Sequence, residues 1–114
     1  MLTEGLNMQS WKPITIKELN SEIENGLKQM TRVQLDYWQR ISIKPEKWVE
    51  KEFGKEGGGF WVIAIISDLV LWYNDIEEGF NISNFSTYGE ISGYKAEEDE
   101  LQWSINKLQR HRNN

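Results

Sequence analysis

A chain of 114 residues that is 39% hydrophobic, with six Trp, four Tyr and four Phe, has the length of one domain. It carries enough apolar area to fold around its own core without a metal or disulfide staple. Its 18 acidic against 13 basic residues, a formal net charge of −5, run against the basic surface that direct nucleic-acid binding needs. The absence of cysteine excludes disulfides, thiolate nucleophiles and cysteine-type zinc sites.

The N-terminal stretch MLTEGLNMQSWKP has neither a basic flank nor an apolar run, so no signal peptide is predicted. Thr15-Ile16-Lys17-Glu18 then forms a capping box, in which the Thr hydroxyl and Glu carboxylate satisfy free helix N–H groups. Ile16, Leu19, Ile23, Leu27 and Met30 recur at spacings of three and four, which predicts an amphipathic helix over 15–30. Gly26 interrupts it at a cost of about 1 kcal/mol relative to Ala. A second capping box, Thr31 to Gln34, opens a shorter helix to about Ile41, with Leu35, Trp38 and Ile41 on its inner face. Lys44-Pro45 ends that helical pattern, because a residue before proline avoids the α region.

Lys47 to Phe53 alternates weakly and reads as an outer strand, followed by a flexible connection over Gly54 to Gly59. The strongest β signal comes next. Phe60-Trp61-Val62-Ile63-Ala64-Ile65-Ile66 and Leu69-Val70-Leu71-Trp72-Tyr73 flank Ser67-Asp68 as a hairpin. A two-residue loop would set Ile66 against Leu69, Ala64 against Leu71 and Val62 against Tyr73. Trp61, Ile63, Ile65, Val70 and Trp72 would then occupy the other face. Both faces are apolar, so helices should cover one and something else must shield the other. The 60–66 run is too short to span a bilayer, and a cytoplasmic location is expected.

Phe80 to Ile91 is expected to add one more strand, irregular near Gly89, and Glu97 to Arg110 a closing helix with its acids in the first turn and bases near its end. The prediction for residues 1–114 is one α+β domain: an antiparallel sheet of roughly three to five strands packed by two N-terminal helices and one C-terminal helix.

Charge is unevenly placed. Residues 69–101 hold Asp75, Glu77, Glu78, Glu90, Glu97, Glu98, Asp99 and Glu100 against Lys95 alone, whereas residues 1–68 nearly balance. Such a run serves solubility, or forms an acidic surface for a basic partner. The lone histidine, His111, stands in the terminal HRNN without the fixed partner that a catalytic imidazole needs, so no catalytic residue is assigned. Gly57-Gly58-Gly59 lacks the phosphate-cradle pattern and leads into a strand.

The most distinctive segment is Trp72-Tyr73-Asn74-Asp75-Ile76-Glu77-Glu78-Gly79-Phe80. Its residue types suit a strand-to-strand turn in which Asn and Asp bond the local backbone. They also suit a partner-binding edge made of Tyr73, Asn74, Asp75, Glu77, Glu78 and Phe80, where aromatics anchor and acids steer. A third reading is carboxylate chemistry by Asp75, Glu77 and Glu78 in a small hydrolase or metal-assisted enzyme. No cofactor or metal ligand set is assigned.

The run FWVIAIISDLVLWYNDIEEGFNIS, together with WKPITIKEL at residues 11–19, resembles a motif of small uncharacterised bacterial proteins. The chain as a whole is similar in kind to immunity proteins of bacterial toxin systems, which are small, acidic and aromatic-rich. That resemblance implies a protein partner, a basic toxin domain neutralised by acidic and aromatic complementarity; the charge balance and the short apolar run add the expectation of no direct nucleic-acid or membrane contact. A homo-oligomeric structural protein, for instance a homodimer, whose exposed hairpin face pairs with itself is a further alternative.

Overall fold

A computed structural model describes residues 12–52 and 58–112, the side chains of 111 and 112 excepted. The Gly54–Gly57 part of the connection, Phe53 and the His111 side chain therefore lie outside the described residues. Helices α1 (Ile16–Lys28) and α2 (Arg32–Ile41) lead into strands β1 (Ser42–Glu50), β2 (Phe60–Ile66), β3 (Leu69–Asn74), β4 (Gly79–Asn84) and β5 (Glu90–Ile91), and helix α3 (Leu101–Arg112) closes the fold. The α+β architecture follows the sequence pattern, but the curled five-stranded sheet is mixed, because β5 runs parallel to β1. No helix among the described residues is long and apolar enough to cross a membrane.

Both capping boxes form. Thr15 Oγ1 accepts from Glu18 N while Glu18 Oε1 accepts from Thr15 N, and Thr31 and Gln34 repeat the exchange. The Thr15 hydrogen bonds hold the Glu18 carboxyl below its usual range. Gly26 has a packing reason that periodicity alone does not show: a Cβ there would lie 2.5 Å from Leu101 Cβ. Its bare backbone lets α1 approach the first turn of α3.

The strand order is β4-β3-β2-β1-β5. β1 is thus not an outer strand, and it starts at Ser42, where the chain turns straight out of α2. Pro45 falls within the register irregularity between Ser42 and Glu46, a position that asks no ladder N–H of it. The Ser67-Asp68 hairpin loop forms as the spacing suggests, with Ile66 opposite Leu69 and Ala64 opposite Leu71. Ser67 adopts φ 56°, the left-handed conformation that tight hairpin turns require.

Beyond Ala64 the register departs from simple alternation. Val62 faces Trp72 and Trp61 faces Tyr73, with an irregularity between Val62 and Ala64. One extra residue reverses the facing of everything beyond it. Ile63 joins Ala64, Leu71, Tyr73 and Phe80 on the helix-covered face, with Trp61 packed at its margin. Phe60 and Val62 turn to the opposite face beside Trp48, Val70 and Trp72.

Phe80–Ile91 is not one strand. β4 and β5 lie at opposite edges of the sheet, and the connecting chain passes over the second face, with Gly89 at φ 96°. This crossing, with β5 and the chain just after it, supplies the shield that the second apolar face needs: Phe85, Ile91 and Tyr94 pack there, and Trp48 meets the Phe85 and Tyr88 rings at 5.2 and 4.8 Å. The hairpin face that self-pairing would use is therefore covered within the chain. Helix α3 starts at Leu101 and not at Glu97, and its first turn has no acid. Glu97–Glu100 instead form an extended strap that bridges to β4 through Phe80 N and Asp99 O at 2.9 Å.

Candidate functional site

The 73–80 segment is organised around Asn74, which is fully buried. Its Oδ1 accepts from Ile76 N at 3.0 Å and Glu77 N at 3.2 Å, closing the turn between β3 and β4. Its Nδ2 donates to Tyr94 Oη at 3.0 Å and Lys95 O at 2.8 Å, tying that turn to the segment ahead of the strap. An amide is the one side chain that offers two donors and an acceptor in this geometry. The turn reading of Asn74 thus has a full set of hydrogen bonds behind it.

Tyr73 and Phe80 sit beside each other in adjacent strands, their rings edge-on at 4.9 Å. Both are buried in the helix-side core, so they form the floor of the surface above and do not project from it. Asp75 accepts from Ile14 N at 2.7 Å and fastens the chain ahead of α1 to the turn. Glu77 is half-buried, whereas Glu78 is exposed at φ 61°. Gly79 is required by close approach, since a Cβ there would lie 2.3 Å from Glu98 Cα. Asn81 completes the attachment: its side chain donates to Glu97 O at 3.0 Å and accepts from Glu97 N at 2.9 Å.

Over this floor runs a groove of about 480 Å³. Glu22 and Asn25 of α1, with Gln29 at its C-terminal cap, form one wall, and Glu98, Asp99 and Glu100 of the strap, with Gln102, form the other. Glu78 stands at one end, and no Lys, Arg or His is among the described lining residues. A second groove of about 610 Å³ shares Glu22, Tyr73 and Glu78 and continues over Asp75 and Glu18 to Lys12. Carboxylates from α1, the β3–β4 turn and the strap therefore converge on one surface.

The Tyr73 hydroxyl feels the carboxylates of α1 and of the β3–β4 turn. Burial, reinforced by the charges of Glu22, Glu78, Asp75 and Glu18, pushes its pKa up to about 12. On the far side of the strap the balance differs: Lys107 bridges Glu97 and Asp99, and the hydrogen bonds it donates to Asp99 and Glu97 raise its pKa. Asp99 is therefore partly neutralised, while Glu22, Glu78, Glu98 and Glu100 are exposed and have no ion pair among the described residues.

Of the six residues singled out by sequence, Glu78 lines both grooves, Tyr73 floors both, and Phe80 floors the first. Asp75 borders only the second, and Asn74 and Glu77 belong to the turn beneath. Sequence reasoning did not connect Glu18 and Glu22 to this surface. They occupy the polar face of a helix, where charge is unremarkable, and only the topology brings them beside Glu78. Among the described residues no group of three His, Asp or Glu side chains is arranged to hold a metal ion. No family model, curated protein or solved structure matches the chain.

Proposed function

We propose that this chain is a stoichiometric protein-binding module of the immunity kind, which neutralises a basic toxin domain by covering it with the acidic groove. The observation that carries this reading is the gathering of Glu22, Glu78, Glu98 and Glu100 from three separate segments along one groove floored by Tyr73, with no cation among the described lining residues. Like charges held together oppose folding. A basic partner relieves that repulsion and is steered to the site by the same field. The buried aromatic floor beneath gives the acids a rigid base, which lowers the ordering cost of association.

The test is affinity capture from the native host with the chain and with a variant carrying Glu22→Gln, Glu78→Gln, Glu98→Gln and Glu100→Gln. Removing four carboxylates takes the formal charge from −5 to −1. The proposal expects one basic protein at equimolar yield, released by salt and lost from the variant. Equal capture by both forms, or a captured partner that is acidic, would contradict it.

A further inference from the structure

The two grooves meet over three residues: Glu22, Tyr73 and Glu78 line both. Glu22 comes from α1 and Glu78 from the β3–β4 turn, and Tyr73 reaches the junction from β3. Tyr73 is only 6% exposed, and a phenol buried to that degree usually finds a hydrogen-bond partner. The neighbouring polar side chains obey that rule: Asn74, Asn81 and Ser83 all donate to backbone carbonyls. The Tyr73 hydroxyl breaks it. It makes no hydrogen bond with a described residue, and it is not among the enclosed, unpartnered polar atoms. Its oxygen is therefore both unsatisfied and open to the grooves.

The charges around that oxygen are of one sign. Those acting on Tyr73 are Glu22, Glu78, Asp75 and Glu18. Asp75 already accepts from Ile14 N, and Glu18 from Thr15 in the capping box. Glu22 and Glu78 are exposed and have no ion pair among the described residues. Lys12, the basic residue in the described lining of the second groove, acts on Glu18 and is not among the charges felt by Tyr73. Burial first, and then the four carboxylates, push the Tyr73 pKa up to about 12, so at neutral pH the hydroxyl is uncharged and offers lone pairs. An acceptor flanked by two unpaired carboxylates calls for a cationic donor.

We propose that the junction of the two grooves receives a lysine ammonium of the partner, held by the Glu22 and Glu78 carboxylates and by the Tyr73 hydroxyl oxygen beneath them. The proposal rests on the partner-binding reading above and specifies its chemistry. An ammonium carries three N–H donors that diverge from one nitrogen at the end of a slender stem. It suits acceptors that three separate segments bring around one point. A guanidinium is a planar fork that pairs best with a single carboxylate through two parallel N–H groups, and Glu22 and Glu78 come from different elements.

The test titrates the intact chain at low salt with three N-acetylated peptides: hexalysine, hexalysine trimethylated at every side-chain nitrogen, and hexa-arginine. All carry equal charge, but the trimethylated side chains have no N–H to donate. Hexalysine is expected to bind on the order of tenfold more tightly than its trimethylated form, and more tightly than hexa-arginine. Tyr73→Phe should narrow the first gap to about threefold, and Glu22→Gln with Glu78→Gln should close it. The thermal melt of Tyr73→Phe should match the parent, because the hydroxyl bonds nothing within the described chain; a clearly lower melt would overturn the proposal. Equal binding of hexalysine and its trimethylated form, or tighter binding of hexa-arginine, with binding lost from the four-amide variant, would overturn the lysine subsite and leave the acidic groove standing. Failure of all three peptides to bind, or binding indifferent to the four amides, would overturn the groove and the subsite together.

Discussion

Replacing Asn74 separates a structural amide from an interface residue. The side chain is fully buried and makes four hydrogen bonds, two as acceptor to the turn and two as donor to Tyr94 and Lys95. With a net value of about 1 kcal/mol per neutral hydrogen bond, partly offset by water reaching the freed turn amides, Asn74→Ala should cost about 3 kcal/mol. Against a total stability of roughly 5–15 kcal/mol that is a large fraction. At a urea slope near 2 kcal/mol per molar the midpoint should fall by about 1.5 M. Asn74→Asp keeps an acceptor for Ile76 and Glu77 but sets a second oxygen against the Lys95 carbonyl. The introduced carboxyl is buried beside an acceptor, so its folded pKa is raised. Stability is then retained at pH values below the unfolded carboxyl pKa and lost as pH rises through the folded value, the reverse of ordinary acid denaturation. Urea melts of both variants at pH 4 and pH 7 test this. A loss below about 0.5 kcal/mol for Asn74→Ala, a value typical of uninvolved surface positions, would refute the four-bond account.

Three further outcomes follow from particular contacts. Gly26→Ala should destabilise the fold although alanine favours helix by about 1 kcal/mol, because its Cβ meets Leu101 at 2.5 Å and overpacking costs about 1–3 kcal/mol; combination with Leu101→Ala should show non-additive melts. Alkaline ultraviolet titration should reveal one tyrosine ionising at about 12, absent in Tyr73→Phe, and lowered by Glu22→Gln with Glu78→Gln. Because that pKa is raised on folding, its contribution is complete below the unfolded value near 10 and lost as pH climbs to about 12. The four-amide variant should melt above the parent at low salt, with the gap closing at high salt, since it relieves repulsion between exposed carboxylates.

The sequence was most legible where the physics is local. Each capping box needs only its own four residues, and the helices start where those boxes place them. The Ser67-Asp68 loop is fixed by the apolar runs on either side. The irregularity between Val62 and Ala64 left no trace, because Phe60–Ile66 is apolar at every position and either facing buries a hydrophobic side chain. The crossing from β4 to β5 was hidden for a related reason: Phe85 and Tyr88 look like strand residues whether they extend a sheet or cover one. Gly26 and Gly79 could be read as conformational weakness, yet each exists for a neighbour distant in sequence, Leu101 and Glu98. The acidic run was visible, but its placement was not. Read as a first helical turn, Glu97–Glu100 would serve the macrodipole; drawn out as a strap, Glu98 and Glu100 face Glu22 across a groove.

The measurement closest to the central claim is the association rate of the captured partner with the parent chain and the four-amide variant, followed by stopped flow across ionic strength. An acidic groove that steers a basic partner predicts a parent rate at least tenfold higher at low salt, falling steeply as salt is added. The variant should be slow throughout and nearly flat. Parent and variant rates that coincide at every ionic strength would contradict the claim that Glu22, Glu78, Glu98 and Glu100 form the binding surface.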